Sequence, residues 1–213
     1  MTKVKKNNTS KKLHIILLIL FVLCSIISAI KPHDYSSWFF EFLPAFIGII
    51  ILVFTYNKFV FTDFVYVLIL IVTIIMLIGA HYKYSNVPLF NLTKQVYNLR
   101  RNNYDRFGHF MQGFVPAFIV RELLIRKVKL KKGIVLSIIV VCICLSISSF
   151  YEILEGLSSI VYGMNPEKFL EYQGDKLDTQ WDMFCALTGA VVSVTMFHKV
   201  HDKNIYNLEK CKE

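Results

Sequence analysis

The sequence predicts an all-α, polytopic membrane protein built as a bundle of about six transmembrane helices. Hydrophobic residues make up 55% of the 213 residues and charged residues only 18%, which is far more apolar than a soluble domain. The apolar residues form runs long enough to cross a bilayer, and aromatic residues mark many of the run ends. No alternating pattern is long enough for a membrane β-barrel. The lipid bilayer is therefore the first expected partner.

The apolar runs divide the chain into three parts. A basic arm over 1–12 precedes a single transmembrane domain over 13–199, and a polar tail over 200–213 follows it. Within the domain the runs predict helices, in order, over 13–30, 38–56, 61–80, 104–126, 133–155 and 179–199.

The first run also resembles a signal peptide, because lysines precede it and Ser28-Ala29 is a tolerable cleavage site. However, its apolar stretch of about 17 residues is longer than a typical signal core, and more spans follow. An uncleaved first helix is the favoured interpretation. Aromatic anchors support the later ends, with Trp38 and Tyr56 bounding the second helix, Tyr104 opening the fourth and Trp181 near the start of the sixth.

The distribution of basic residues orients the bundle. With the N-terminus inside, cytoplasmic segments carry fifteen lysines and arginines, and outer segments carry eight. The positive-inside rule then predicts a cell-membrane protein with both termini in the cytoplasm. Five of the eight outer bases lie before or within the first turn of the fourth helix, which suggests a specific role for them.

The overall charge and the cysteines exclude two other classes of protein. The net charge of +9 comes from flanks and loops rather than from a basic folded face, so no nucleic-acid partner is expected. Four of the five cysteines lie within apolar runs, where a small buried hydrophobic role is usual. No disulfide framework is predicted.

Three polar stretches, 101–110, 150–155 and 173–182, flank long apolar runs. With the fourth helix running inward, the fifth outward and the sixth inward, all three lie at the outer membrane surface. Glu152 lies about 28 Å along the fifth helix from Gly133, close to that surface. Ionisable groups at such positions are costly and commonly functional. The topology therefore predicts one outward-facing polar pocket.

Helical spacing selects the candidate catalytic groups within this pocket. Their positions recur at i,i+3 or i,i+4, which places them on shared helix faces. The candidates are Asp105, His109, Glu152, Glu155, Asp178 and Asp182. Paired carboxylates with a histidine could act as acid and base on a headgroup. No zinc-protease motif or nucleophile elbow is present to identify the reaction.

The same residue types favour a divalent cation as a cofactor. Oxygen ligands suit Ca, Mg or Mn, and an imidazole widens the choice toward Zn. The predicted ligands are Asp105, His109, Glu152 and Asp182.

Basic and amide side chains next to these groups are the candidate substrate contacts. Guanidinium groups would hold an anionic headgroup or envelope substrate, which would explain the basic outer loop. The predicted contacts are Arg101, Arg106, Asn102, Asn103, Gln112, Gln173 and Gln180.

Two other interpretations remain open at this point. The ionic groups could form a clamp that only joins the helices. Alternatively, a small-solute or cation transporter would need a polar path from Gln112 to Glu122, although about 15 Å of mostly apolar helix separates them.

The polar stretches resemble the YjdF-type family of bacterial inner-membrane proteins, a multi-pass family of unknown function. The resemblance runs from about 79 to 202 and rests on strings at 101–110 (RNNYDRFGHF), 113–117 (GFVPA), 150–155 (FYEILE), 173–175 (QGD) and 178–183 (DTQWDM). Gly156 departs from the family, where a Trp is expected. A more distant likeness in the order of Asp, His and Glu links the chain to VanZ-like membrane proteins, as an analogy of pattern only.

Overall fold

The computed structural model describes residues 8–161 and 173–210. These residues form eight α-helices and a short 3₁₀ turn at Tyr84–Asn86, without a strand among them. In chain order the helices are α1 (Asn8–Ser28), α2 (Tyr35–Thr55), α3 (Asp63–Tyr82), α4 (Pro88–Val96), α5 (Tyr104–Arg126), α6 (Ile134–Val161), α7 (Asp178–Met196) and α8 (His198–Lys210). The predicted all-α class is confirmed.

The bundle is polytopic, as predicted, but its helices differ in how well they suit a bilayer. By length and composition, α1, α2, α3 and α6 can each cross a membrane, and α7 with α8 forms a fifth candidate span bent by 63°. The remaining long helix, α5, carries five Asp, Glu or Arg side chains. It is long enough to span but too polar to qualify by composition, which accounts for the difference from the expected six.

Local signals explain where several helices begin. The Asp34 carboxylate accepts a hydrogen bond of 2.7 Å from the Ser37 N–H at the start of α2. Thr62 caps α3 by accepting from the Val65 N–H at 3.4 Å. Pro88 opens α4, where a missing N–H costs nothing. Each signal satisfies or avoids an orphan donor at a helix start.

Two helices were not predicted from the apolar runs. The nine-residue α4 lies between the third and fourth predicted helices and is too short to give a span signal. The tail beyond residue 200 forms most of α8, because its amphipathic pattern buries His201 and Ile205 against the bundle. A polar composition alone did not reveal that one face of the tail is buried.

Two groups of helices meet where α3 packs against α5. On one side, α3 packs against α1 and α2, and on the other, α5, α6 and α7 pack against one another. Val65 and Phe118 are fully buried on the α3 side of α5, and Val140 and Ala190 are fully buried on the α6 side. α5 is thus the central helix of the bundle.

Two glycines allow α5 and α7 to cross in backbone contact. A Cβ atom added at Gly113 would lie 1.8 Å from the Ala186 carbonyl oxygen, and one at Gly189 would lie 2.1 Å from the Phe110 carbonyl oxygen. Small residues at helix interfaces permit such close approach in membrane proteins. This crossing brings the polar first turns of α5 and α7 side by side.

Candidate functional site

Three helices bring five polar side chains to one end of the bundle. Asp105 and His109 lie in the first turns of α5, Asp178 and Asp182 lie in the first turns of α7, and Glu152 comes from α6. We call these five residues the acidic cluster. The close crossing of α5 and α7 sets the spacing between the first two pairs.

Asp105, His109 and Asp182 form a compact set of candidate metal ligands. One carboxylate oxygen from each aspartate and one ring nitrogen of His109 all lie within 4.8 Å of one another. His109 and Asp182 are buried, and Asp105 is half-buried. Glu152 lies just outside this set, with its Oε1 atom 3.5 Å from His109 Nε2. The arrangement gives two oxygen ligands, one nitrogen ligand and an adjacent carboxylate.

Buried polar atoms of the acidic cluster lack hydrogen-bond partners within the described part of the chain. They include Nδ1 of His109, Oε1 of Glu152 and Oδ1 of Asp182, and the nearby Ser148 hydroxyl behaves likewise. Buried polar groups are normally paired, and an unpaired one costs about 1–3 kcal/mol. A concentration of such atoms is typical of a ligand site rather than of a contact that only joins helices.

Two arginines beside the cluster are engaged by its own carboxylates. Arg101 donates to Asp178, and its guanidinium also lies 3.6 Å from Asp105. Arg106 donates to Asp175 and lies 3.6 Å from Asp178. The Leu177 N–H and the Arg106 guanidinium lower the pKa of Asp175, so this carboxylate is ionised at neutral pH.

Arg101 nevertheless retains binding capacity. Although burial alone would lower its pKa, the hydrogen bond and charge of Asp178 raise it above its ordinary value. The side chain is 7% exposed, and its Nε and Nη2 donors make no hydrogen bond to the described residues. Arg101 is therefore a buried, permanently charged group whose Nε and Nη2 make no hydrogen bond to the described residues.

The predicted amide contacts divide between the framework and the pocket. Asn102 is fully buried, and its backbone exchanges two hydrogen bonds of 2.9 and 3.0 Å with the Gln173 side chain. This exchange ties the segment before α5 to the segment before α7. Gln112 lines a cavity of the bundle, whereas Asn103 only precedes α5 and Gln180 is exposed.

That cavity has a volume of about 1220 Å³ and connects to the acidic cluster. It exists because α2 packs against α3 but makes few contacts with α5 and α6. At one end it is lined by carboxylates, which are Glu41, Asp105, Glu152, Glu155, Asp178 and Asp182. Most of the remaining lining is apolar.

Glu41 lines the cavity although it is not among the residues that the sequence predicted for the pocket. Its carboxylate accepts a hydrogen bond of 3.2 Å from the Tyr151 hydroxyl, and both residues line the cavity with Glu155. A lone acidic residue within the apolar α2 segment was the available signal. The contribution of Tyr151 could not be inferred, because aromatic residues at helix ends usually serve as interfacial anchors.

A second polar cluster lies near the other end of α5. Both carboxylate oxygens of Glu122 accept 2.9 Å hydrogen bonds from Thr62, one from its N–H and one from its hydroxyl. Arg126 also donates to Glu122, and His201 Nε2 lies 3.2 Å from it. Arg121 lies 3.3 Å from His201 Nδ1. We call these five residues the Glu122 cluster.

The Glu122 cluster is buried and saturated with partners. Glu122 and His201 are fully buried, and Arg126 donates a further 2.8 Å hydrogen bond to the Val60 carbonyl oxygen. Its residues come from α5, α8 and the N-terminal cap of α3. Glu122 does not line the cavity. The geometry is that of a clamp between helices.

Comparisons with known proteins place the chain among membrane proteins. A family model described as "Predicted membrane protein (DUF2238)" matches residues 13–203. The chain is 36% identical over 180 residues to the inner membrane protein YjdF of Escherichia coli (strain K12). The aligned segment makes up 84% of this chain and 86% of that protein. No solved structure matches the chain. The likeness to VanZ-like proteins stays a prediction. The chain therefore belongs to the DUF2238 family of predicted membrane proteins.

Proposed function

We propose that the acidic cluster binds a divalent cation and, with it, binds or processes the polar headgroup of a cell-envelope or lipid substrate. The observation that carries this proposal is the approach of Asp105, His109 and Asp182 ligand atoms to within 4.8 Å of one another. Two carboxylates with one imidazole suit Mn, Mg or Zn. With both termini in the cytoplasm, the cluster faces the outer side of the membrane.

Each residue of the cluster has a role in this proposal. Asp105 and Asp182 supply negative charge and oxygen ligands, and His109 supplies the nitrogen. Glu152 lies 3.5 Å from His109 Nε2, where it orients the ring and can accept a proton from a substrate or water. A bound divalent cation would polarise a headgroup oxygen and lower the pKa of a bound water.

Asp178 and Glu155 lie next to the ligands and support the site. Asp178 pairs with Arg101 and so holds a positive charge next to the ligands. Glu155 lines the cavity with Glu41, one helical turn beyond Glu152. Arg101 would contact an anionic group through its remaining donors, while Arg106 positions Asp175. Gln112 lies on the cavity wall as a polar contact.

The alternatives fit the geometry less well. A clamp would be expected to satisfy its own polar atoms, as the Glu122 cluster does, but three acidic-cluster residues keep buried atoms that make no hydrogen bond within the described chain. A transporter would need a polar path that reaches Glu122, and Glu122 is not part of the cavity lining. A headgroup site at one end of the bundle requires neither a full set of internal hydrogen bonds nor a polar path to Glu122.

Metal titration tests the proposal directly. Full-length protein purified in detergent, stripped with a chelator and titrated with Mn²⁺ in a calorimeter should bind one ion per chain. Asp182→Asn and His109→Ala should each weaken binding by about 100-fold or more, because even outer-shell changes cost 10–100-fold. Glu209→Gln, at an exposed carboxylate of α8, is the matched control and should bind normally. Equal binding by Asp182→Asn, or none by the unaltered protein, would overturn the proposal.

A further inference from the structure

We infer that the cavity beside the acidic cluster is a lipid site, in which the apolar chain of a phosphate-bearing membrane lipid lies along α2 while its phosphate stands at the acidic cluster. This inference rests on the proposed function for the headgroup end and deepens it by naming the substrate class. The position of the lipid's apolar chain is argued from independent features of the cavity.

The first feature is length. Lining residues follow α2 from Ser37 to Thr55, which corresponds to about 27 Å of helix rise. The hydrocarbon core of a bilayer is about 30 Å thick, so the cavity runs along most of that depth. Its volume of about 1220 Å³ also exceeds the usual range of roughly 300–1,000 Å³ for small-molecule pockets. An extended ligand is favoured over a compact one.

The second feature is the uneven polarity of the lining, which has all its carboxylates near one end, an aliphatic middle, and Lys58 and Lys127 near the other end. Six carboxylates line the end formed by Glu41 and the acidic cluster. The middle is walled by aliphatic side chains from α2, α3, α5 and α6, including Leu43, Ile47, Leu52, Ile69, Ile119 and Ile147. A ligand that satisfies both regions must be polar at one end and apolar along its length. That is the chemistry of a lipid, whereas a polar solute would leave most of the wall unmatched.

The third feature identifies the headgroup. Carboxylates alone would repel a phosphate, but a divalent cation at Asp105, His109 and Asp182 would bind phosphate oxygens through the ion. Arg101 is not itself a lining residue, but it pairs with the lining carboxylates Asp105 and Asp178, and its buried Nε and Nη2 make no hydrogen bond within the described chain. Guanidinium donors are well suited to phosphate. The cation and Arg101 together favour a phosphate over a neutral hydroxyl headgroup.

A photo-crosslinking experiment tests the position of the lipid's acyl chain. Full-length protein in nanodiscs is incubated with Mn²⁺ and phosphatidic acid that carries a diazirine in its acyl chain, and crosslinks are mapped by mass spectrometry. We expect labelling at cavity residues such as Leu52 and Ile119. Gly48→Trp fills the cavity from α2, where an added Cβ meets no atom within 4 Å. It should lower this labelling about tenfold, because the indole ring would occupy the space of the acyl chain; this corresponds to about 1.4 kcal/mol in binding free energy.

Ile50→Trp is the matched control, because Ile50 lies on the same helix, is exposed and does not line the cavity. Its labelling should match that of the unaltered protein. Equal labelling in Gly48→Trp, or labelling confined to exposed residues outside the cavity, would overturn the inference about the acyl chain.

A diacylglycerol probe with the same diazirine tests the headgroup. Labelling as strong as that by phosphatidic acid would overturn the phosphate assignment. Inorganic phosphate should compete only weakly if the apolar chain contributes to binding.

Mn²⁺ titration of Gly48→Trp separates this inference from the proposed function. Gly48 lies along the apolar wall, away from the metal ligands, so Mn²⁺ binding should be unchanged while labelling falls. Normal Mn²⁺ binding with unchanged labelling would overturn the lipid site alone. Failure of the unaltered protein to bind Mn²⁺ would instead overturn the proposed function.

Discussion

The acidic cluster and the Glu122 cluster both include residues of α5, but they differ in how completely their buried charges are hydrogen-bonded. Asp105 and Glu122 are separated by about 25 Å along α5. Glu122 has hydrogen bonds at both carboxylate oxygens and an arginine against it. In the acidic cluster, Asp182 and Glu152 each keep a buried oxygen that accepts no hydrogen bond in the described chain. The presence of polar groups in an apolar bundle is therefore not sufficient to locate a functional site. The two clusters are distinguished by how many of their buried polar atoms make hydrogen bonds.

The difference has a thermodynamic meaning. A buried charge that is fully paired resists the loss of any one partner, because the remaining charge becomes uncompensated. A buried charge that is already underpaired costs stability in the ligand-free protein, and its removal relieves that cost. Substitutions in the two clusters should therefore change stability in different directions.

The largest effect is expected at Glu122. Glu122→Gln would leave Arg126 and the adjacent His201 without their carboxylate in a fully buried site. We expect a loss of about 3–5 kcal/mol in the free energy of unfolding, as for other broken buried pairs. Unfolding in detergent, or the folded yield after gel filtration, measures it, with Glu209→Gln as the control. A near-normal stability would contradict the clamp role of the Glu122 cluster.

Asp182→Asn should separate stability from ligand binding. In chelator, its free energy of unfolding should equal or exceed that of the unaltered protein, because a poorly compensated buried carboxylate is removed. Added Mn²⁺ at 100 times its dissociation constant should stabilise the unaltered protein by about 2.7 kcal/mol but not the variant. Thermal unfolding with and without Mn²⁺ measures both effects. A large loss of stability in chelator would mean that Asp182 belongs to a clamp.

Gly189→Ala should weaken the scaffold that holds the acidic cluster together. The added methyl group would lie 2.1 Å from the Phe110 carbonyl oxygen, so α5 and α7 must separate. Overpacking of this kind costs about 1–3 kcal/mol, and Mn²⁺ affinity should fall as Asp182 moves from Asp105. Gly48→Ala, where nothing lies within 4 Å of the new Cβ, is the matched control. Unchanged Mn²⁺ affinity in Gly189→Ala would show that the helix crossing does not set the ligand spacing.

The smallest effect is expected at the rim of the Glu122 cluster. Asp202 lies 2.8 Å from Arg121 and 3.1 Å from Lys132, and its side chain is 27% exposed. Asp202→Asn should therefore cost only about 0.2–1 kcal/mol, in the range of partly solvated ion pairs. Thermal unfolding at low and high salt checks this, and the difference from the unaltered protein should shrink with salt. A cost as large as that of Glu122→Gln would extend the clamp to the rim.

The sequence predicted the parts of the fold that depend on local pattern. The bounds of α5 agree with the structure because Tyr104 and Arg126 coincide with changes of composition. The meeting of Asp105, His109 and Asp182 followed from helix direction and spacing, without any contact information. Helix order and charge placement thus carry information about which ends meet.

Other features depend on packing that no local pattern encodes. The cavity arises because α2 makes few contacts with α5 and α6, which the largely apolar α2 sequence does not reveal. The pairing of Glu122 with His201 was not predicted, because the polar composition of the tail over 200–213 does not show that α8 buries one face against the bundle. The engagement of Arg101 by Asp178 likewise became visible only in three dimensions.

Pulsed electron paramagnetic resonance of bound Mn²⁺ tests the central claim most directly, because it detects a directly coordinated histidine nitrogen. The unaltered protein should give a ¹⁴N coupling that disappears in His109→Ala and persists in His198→Ala, a variant of an α8 histidine whose Nδ1 lies 2.8 Å from the Thr195 carbonyl oxygen. A ¹⁴N coupling that survives in His109→Ala, or its absence from the unaltered protein with Mn²⁺ bound, would contradict a metal site in the acidic cluster.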